Sequence, residues 1–346
     1  MNQLSRAAKK EYFSRLESLR PDAVYSCSAF PVSVLAGLGL RPARIPVSSR
    51  AKGRIRSRED VCPLMELLAG SMEQLRPRVV IGLHTCDMTR RFYQELNKVE
   101  YAQIHQLQLP ATFGKEAEEF YASQVERLCE DLVLNGLSEG YEPERAESWF
   151  RGLRKLDELL RGAALRTPPV ALKYLHHLGS IMPPREAVEV IGNLLEDHEP
   201  FKGEFTLVAS GSPFPPGSDT VAETVEAAGG LLVPAGCSGH AAYPAGEPAD
   251  FSPGTLAVES LAGCRCVRRR PNAICFDHIG ESAKRFSARG ILVTCLSFCD
   301  LWYTEKVRFK ERFPIPVLVT DCGLNQGDSE RTAMRVETFI QSLGVK

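Results

Sequence analysis

The sequence predicts an α/β fold of two lobes, each a small parallel sheet of the flavodoxin or Rossmann kind flanked by helices, with a helical connection between them. Three observations predict it. Apolar, β-branched runs alternate with helix-periodic stretches in two series, one on each side of a charged central segment. The runs are continuous and bounded by Gly and Pro, as suits strands covered on both faces. At 346 residues the chain also exceeds the size at which a single core keeps growing.

The elements follow in order. An amphipathic helix is expected over 4–19. The first series has strands at 23–25, 43–47, 79–83 and 103–109, with helices at 62–73 and 88–97. The stretch 115–161 is charged and helix-periodic; the breaker Thr167-Pro168-Pro169 follows it, then a further helix that ends before Pro183-Pro184. The second series has strands at 205–209, 230–234, 290–294 and 316–320, with helices at 220–228, 281–288 and 329–343. Pro- and Gly-rich stretches at 211–217 and 243–254 read as loops. The expected domains are therefore an N-terminal α/β lobe over 1–114, a helical connection over 115–200 and a C-terminal α/β lobe over 201–346.

Composition narrows the function. The apolar fraction is 44%, the charged fraction 25% and the formal charge -1, values of a soluble globular protein with no field to hold a nucleic-acid backbone. No apolar run is long enough to span a membrane, and the polar start of the chain is unlike a signal peptide, so a cytoplasmic protein is expected. Eleven cysteines are then too many for packing alone, and disulfides do not persist in a reducing compartment. Cys129, at an apolar position of a helical stretch, reads as core.

The other cysteines are informative by position. Cys27, Cys86, Cys237, Cys299 and Cys322 each follow a predicted strand. In open parallel sheets the carboxyl rim is where ligands bind, so two lobes facing rim to rim would converge these thiols on one crevice. Zinc is disfavoured because the close pairs, Cys264-Arg265-Cys266 and Cys295 with Cys299, are not C-x-x-C knuckles. Compact ferredoxin runs are missing too, so a thiolate-held iron–sulfur cluster would draw its ligands from distant loops. His84, two residues before Cys86, is a weak candidate for a hydrogen bond to a cluster or substrate. His176-His177 reads as helix packing or surface, and 211–217 is too Pro-rich for a dinucleotide fingerprint.

These residues resemble the 2-hydroxyacyl-CoA dehydratase D-component family, which includes benzoyl-CoA reductase subunits and the double-cubane cluster proteins. The resemblance spans nearly the whole chain. It is carried by Cys27 with Phe30-Pro31, Val61-Cys62-Pro63-Leu64, Thr85-Cys86-Asp87, His177-Leu178-Gly179, Cys237-Ser238-Gly239, Gly263-Cys264-Arg265-Cys266, Phe298-Cys299-Asp300 and Thr320-Asp321. It implies a 4Fe-4S cubane held by Cys62, Cys86 and Cys299. In the double-cubane relatives six thiolates hold two linked cubanes, and Cys27, Cys237 and either Cys264 or Cys266 match the additional three.

The resemblance also implies the reaction class and partners. The first expectation is an iron–sulfur oxidoreductase component that receives low-potential electrons from an ATP-hydrolysing activator carrying its own 4Fe-4S cluster and reduces a small substrate. The alternative is a subunit of an (R)-2-hydroxyacyl-CoA dehydratase, a radical hydro-lyase with a single 4Fe-4S cluster and an acyl-CoA substrate; a non-catalytic iron–sulfur carrier ranks last. A homodimer or a heterodimer of related subunits is implied. One departure bears on the choice: Pro31-Val32-Ser33 stands where many dehydratase subunits carry Pro-Glu-Glu, which removes carboxylates that acid–base dehydration would use.

Overall fold

The computed structural model describes residues 1–46, 62–96, 101–212, 215–236, 246–323 and 326–344. The first sheet is built from β1 (Ala23–Tyr25), β2 (Pro42–Arg44), β3 (Val79–His84) and β4 (Gln103–Gln108), all parallel, in the order β2-β1-β3-β4. The second has β5 (Phe205–Gly211), β6 (Gly230–Pro234), β7 (Gly290–Leu296) and β8 (Val317–Cys322), again parallel, in the order β6-β5-β7-β8. The two sheets thus share one topology. In each, strand order reverses between the first and third strands of the series, and a crevice opens at that point beyond the carboxyl ends. The α/β class and all eight strands match the sequence reading. β2 starts one residue earlier than expected and Val47 lies outside the described residues, whereas β8 continues through Cys322, which places that thiol within the strand.

Among the described residues fourteen helices clothe the sheets. In the first half these are α1 (Gln3–Ser18), α2 (Ser33–Gly37), α3 (Pro63–Leu75) and α4 (Asp87–Leu96). The central stretch forms α5 (Lys115–Leu134), α6 (Pro143–Ala163), α7 (Pro169–Ile181) and α8 (Pro184–Glu196). The second half adds α9 (Thr220–Ala227), α10 (Pro253–Gly263), α11 (Ala273–Arg285), α12 (Asp300–Tyr303), α13 (Lys306–Arg312) and α14 (Gln326–Ser342). No helix among the described residues is long and apolar enough to cross a membrane.

Five helices are missing from the sequence reading, α2, α8, α10, α12 and α13, and two of them, α8 and α10, begin at a proline. Pro183-Pro184 was read as a stop, yet Pro183 caps α8 and Pro184 is its first residue, where a missing N–H costs nothing. Likewise Ser252 caps α10 by accepting from Thr255 N, with Pro253 first in the helix. The helix expected over 281–288 begins instead at Ala273 and ends at Arg285, since Cys275, Phe276 and Ile279 already supply its buried face.

The halves interlock. α10, from the second half of the chain, packs on α5, and its Leu256, Ala257 and Leu261 join Leu128, Cys129 and the strands of the first sheet in one core. Conversely α1 lies on α7: Leu4, Ala8 and Tyr12 pack with Tyr174, Leu175 and Leu178, and Ser5 Oγ bonds Glu226 on α9. Cys129 lies in the first-sheet core, 7% exposed, as its helical position predicted.

Candidate functional site

Backbone structure fixes the thiols at the two rims. Cys27 follows β1 in a turn whose Ala29 carbonyl accepts both Tyr121 Oη (3.0 Å) from α5 and Ser260 Oγ (2.9 Å) from α10. Cys62 caps α3, whose first residue is Pro63. Cys86 precedes α4 and its carbonyl accepts Arg90 N–H. Cys299 caps α12 just beyond β7. Cys264 ends α10 and Cys266 follows two residues on. Cys237 lies outside the described residues.

The thiols feel one another's charge in two connected groups. Cys62 is raised to about 12, by burial first and then by Cys299 and Cys86; Cys299 is raised by burial and by Cys86. Those three thiols, at the start of α3, beyond the end of β3 and beyond the end of β7, act on one another pairwise as a triangle. Cys27 is raised to about 11 by burial, then by Cys266 and by Cys86. Cys266 is raised by its bond with Cys264 and by burial. Cys86 therefore joins the triangle to a second set, in which Cys266 is the thiol that Cys27 faces.

A second pattern separates these thiols from the packing cysteines. Burial pushes Cys27, Cys62, Cys266 and Cys299 toward the neutral form, but backbone N–H groups pull the other way. Ala29 N–H reaches Cys27 Sγ and Thr89 N–H reaches Cys86 Sγ, each at 3.5 Å. The N–H groups of Leu64 and Met65 act to lower the Cys62 pKa, that of Trp302 acts on Cys299 and that of Arg268 on Cys266, each against the shift from burial. Such donors favour a thiolate over a thiol. By contrast Cys129, Cys275 and Cys295 are each raised to about 12 by burial and neighbouring negative charge, with no N–H opposing the shift. Cys322 is raised to about 11 by burial and bonds Thr332 Oγ1 and the Thr320 carbonyl instead.

The surroundings carry matching positive charge. Arg269 is 3% exposed; it donates to Leu261 and Thr112 carbonyls and stacks 3.8 Å from the Phe113 ring. Arg268 reaches across to the Thr85 carbonyl beside Cys86 (3.1 Å). Both Nε atoms are buried without a hydrogen-bond partner, and among the described residues neither guanidinium forms an ion pair with a carboxylate. Burial lowers the Arg269 pKa, while Cys264 and Cys266 act to raise it. One buried and one half-buried guanidinium without carboxylates, beside thiols that accept backbone N–H groups, fit an anionic thiolate-ligated group. No three His, Cys, Asp or Glu side chains among the described residues stand at the spacing of a single metal ion. A mononuclear zinc site needs sulfurs about 2.3 Å from one centre, whereas a cubane spreads its ligands over separate irons.

Behind the second set a cavity of about 540 Å³ opens, lined by Cys27, Cys264 and Cys266 on one side and by Arg161, His176 and His278 on others. Burial lowers His278 and holds His176 down at about 3, so the latter is a neutral imidazole. An adjacent His pair on an apolar helix reads as packing, so this placement is not legible in the sequence. His84 sits at the end of β3, where its Nε2 bonds Gln106 Oε1 on β4 at 2.7 Å.

A family model described as 2-hydroxyglutaryl-CoA dehydratase, D-component, matches residues 27–343. The chain belongs to this family. The matched span takes in β2 to β8 and every thiol of the two sets. No curated protein matches the chain.

Proposed function

We propose that this D-component family protein is an iron–sulfur reductase component in which Cys62, Cys86 and Cys299 hold one 4Fe-4S cluster and Cys27, Cys266 and Cys237 hold a second, adjoining cubane. Such a group supplies one-electron reduction at low potential. The observation that carries the reading is that backbone N–H groups reach the Cys27 and Cys86 sulfurs and oppose the burial shift at Cys62, Cys266 and Cys299, whereas none opposes it at the packing cysteines Cys129, Cys275 and Cys295. The chain's own contribution is to converge thiols from four rim loops, to stabilise their anionic form with N–H donors and with Arg268 and Arg269, and to shield them within the interlocked halves. Electrons would come from an ATP-hydrolysing activator with its own 4Fe-4S cluster, and the chain would work as a homodimer or beside a related subunit. The cavity behind Cys27 and Cys266 is the route by which a small substrate would approach.

The second reading is a dehydratase subunit with a single cluster on Cys62, Cys86 and Cys299, acting on a 2-hydroxyacyl-CoA as a hydro-lyase. The family's description favours it. Against it stands the start of α2, where Val32 and the buried Ser33 occupy the place of the carboxylates. Iron analysis of Cys27→Ala and Cys237→Ala beside the parent separates the two. Loss of about half the iron, or of all of it, supports two linked cubanes; full retention in both variants leaves the dehydratase reading.

A further inference from the structure

We infer that the cavity behind Cys27 and Cys266 binds a small monocarboxylate, its charge held at the mouth by Arg265 and Arg285 and its short apolar body lying inside, beside the thiols. The inference rests on the cluster reading above and adds the chemical class of the substrate. At about 540 Å³ the cavity can enclose one small molecule. Its lining changes with depth. Arg161, Glu281 and Arg285 are exposed and Arg265 is half-buried, whereas Leu160, Val233 and Cys264 are buried. Charge therefore collects at the mouth, and apolar surface lies beside the sulfurs.

The balance of charge selects an anion. The lining sets three guanidiniums, Arg161, Arg265 and Arg285, against two carboxylates, Asp157 and Glu281, which leaves one positive charge over. Asp157 is already engaged, its Oδ1 accepting Arg161 Nε at 2.7 Å. Arg265 Nη1 donates to the Ala262 carbonyl (2.9 Å) and Arg285 lies over the Phe286 ring (5.4 Å). Among the described residues neither forms an ion pair with a carboxylate. Each guanidinium thus keeps most of its five N–H donors for a ligand, in a planar fork that matches a carboxylate.

The two histidines of the lining add no charge. Burial holds His176 down at about 3; burial also lowers His278, which Arg265 and Arg161 lower further. A ligand with two negative charges would exceed what the lining neutralises, and Glu281 would repel it. Deeper in, Leu160 from α6, Val233 from β6 and Phe286 after α11 offer a wall on which a few methylenes leave water. The arrangement suits a molecule that is anionic at one end and apolar along its body.

The test titrates hexanoate and its uncharged counterpart hexanamide into anaerobically reconstituted protein by calorimetry, with iron measured in the same preparation. The parent is compared with Arg285→Gln, Glu281→Gln and Lys284→Gln. All three side chains are exposed on α11, so the fold is kept, and Lys284 lies outside the lining. Hexanoate is expected to bind the parent about tenfold more tightly than hexanamide, the worth of a charge-assisted contact. Arg285→Gln should weaken hexanoate about tenfold and leave hexanamide unchanged. Glu281→Gln, which removes a negative charge from the mouth, should strengthen hexanoate, and Lys284→Gln should change neither compound. An iron-loaded parent that binds neither compound, or both alike, overturns this inference alone. So does an equal loss in Arg285→Gln and Lys284→Gln, which would mark diffuse surface charge. A parent that takes up no iron overturns the cluster reading, and the same pattern of hexanoate binding would then leave the anion site standing.

Discussion

Replacing Lys173 with methionine removes the ammonium that anchors the loop after β5, since its Nζ donates to the Pro215 (2.9 Å) and Ser218 (2.7 Å) carbonyls. Lys173 and Asp219 form an ion pair at 2.8 Å with side-chain exposures of 10% and 3%, so the variant deprives a buried carboxylate of its nearest countercharge. Breaking such a pair costs about 3–5 kcal/mol. The lower end applies here, because Lys9 Nζ still reaches Asp219 Oδ2 at 2.7 Å and is itself 28% exposed. Urea denaturation followed by circular dichroism should therefore show a loss of about 3 kcal/mol, and Lys173→Met/Asp219→Asn should recover part of it. The pH profile supplies a second signature. Burial opposes ionisation of Asp219, yet Lys173 and Lys9 pull its carboxyl from 3.8 down to about 2. A depressed carboxyl stabilises the fold above its unfolded pKa, so the parent should lose about 2 kcal/mol as pH falls from about 4 to about 2. In Lys173→Met that dependence should flatten, since burial then acts against less positive charge. A loss below about 1 kcal/mol, or an unchanged acid limb, would refute the anchoring role.

The remaining prediction concerns the thiols of the triangle. Cys62→Ala, Cys86→Ala and Cys299→Ala should each abolish cluster assembly, measured as iron and acid-labile sulfide per chain. Cys129→Ala should leave both unchanged and cost about 1 kcal/mol as a small core change.

The strands were legible because each is a short apolar run bounded by breakers, and both faces of each sheet are covered. Helix starts were harder. Pro184 and Pro253 look like interruptions in a linear reading, but at a first helical turn proline is favourable, and only the chain's three-dimensional course decides which role applies. The rim placement of Cys27, Cys86 and Cys299 could be read from their position after strands. The N–H donors on their sulfurs could not, because these depend on the backbone direction at each cap. Only Pro63 after Cys62 gave a local hint of one. The place of Ser212 was hidden for the same reason: its partners Thr294 and Leu296 lie far along the chain and meet it only through the pairing of β5 with β7. The crossing of α10 onto α5 and of α1 onto α7 was likewise invisible, since an amphipathic face states that it will be covered but not by what.

The most direct test of the account is the metal and sulfide content of the protein purified under strict anaerobiosis. Brown protein with iron and acid-labile sulfide in near-equal amounts, bleaching on exposure to air, is the result predicted by thiols converging from two rims beside the buried Arg269 and the half-buried Arg268. Stoichiometric zinc without sulfide would contradict it.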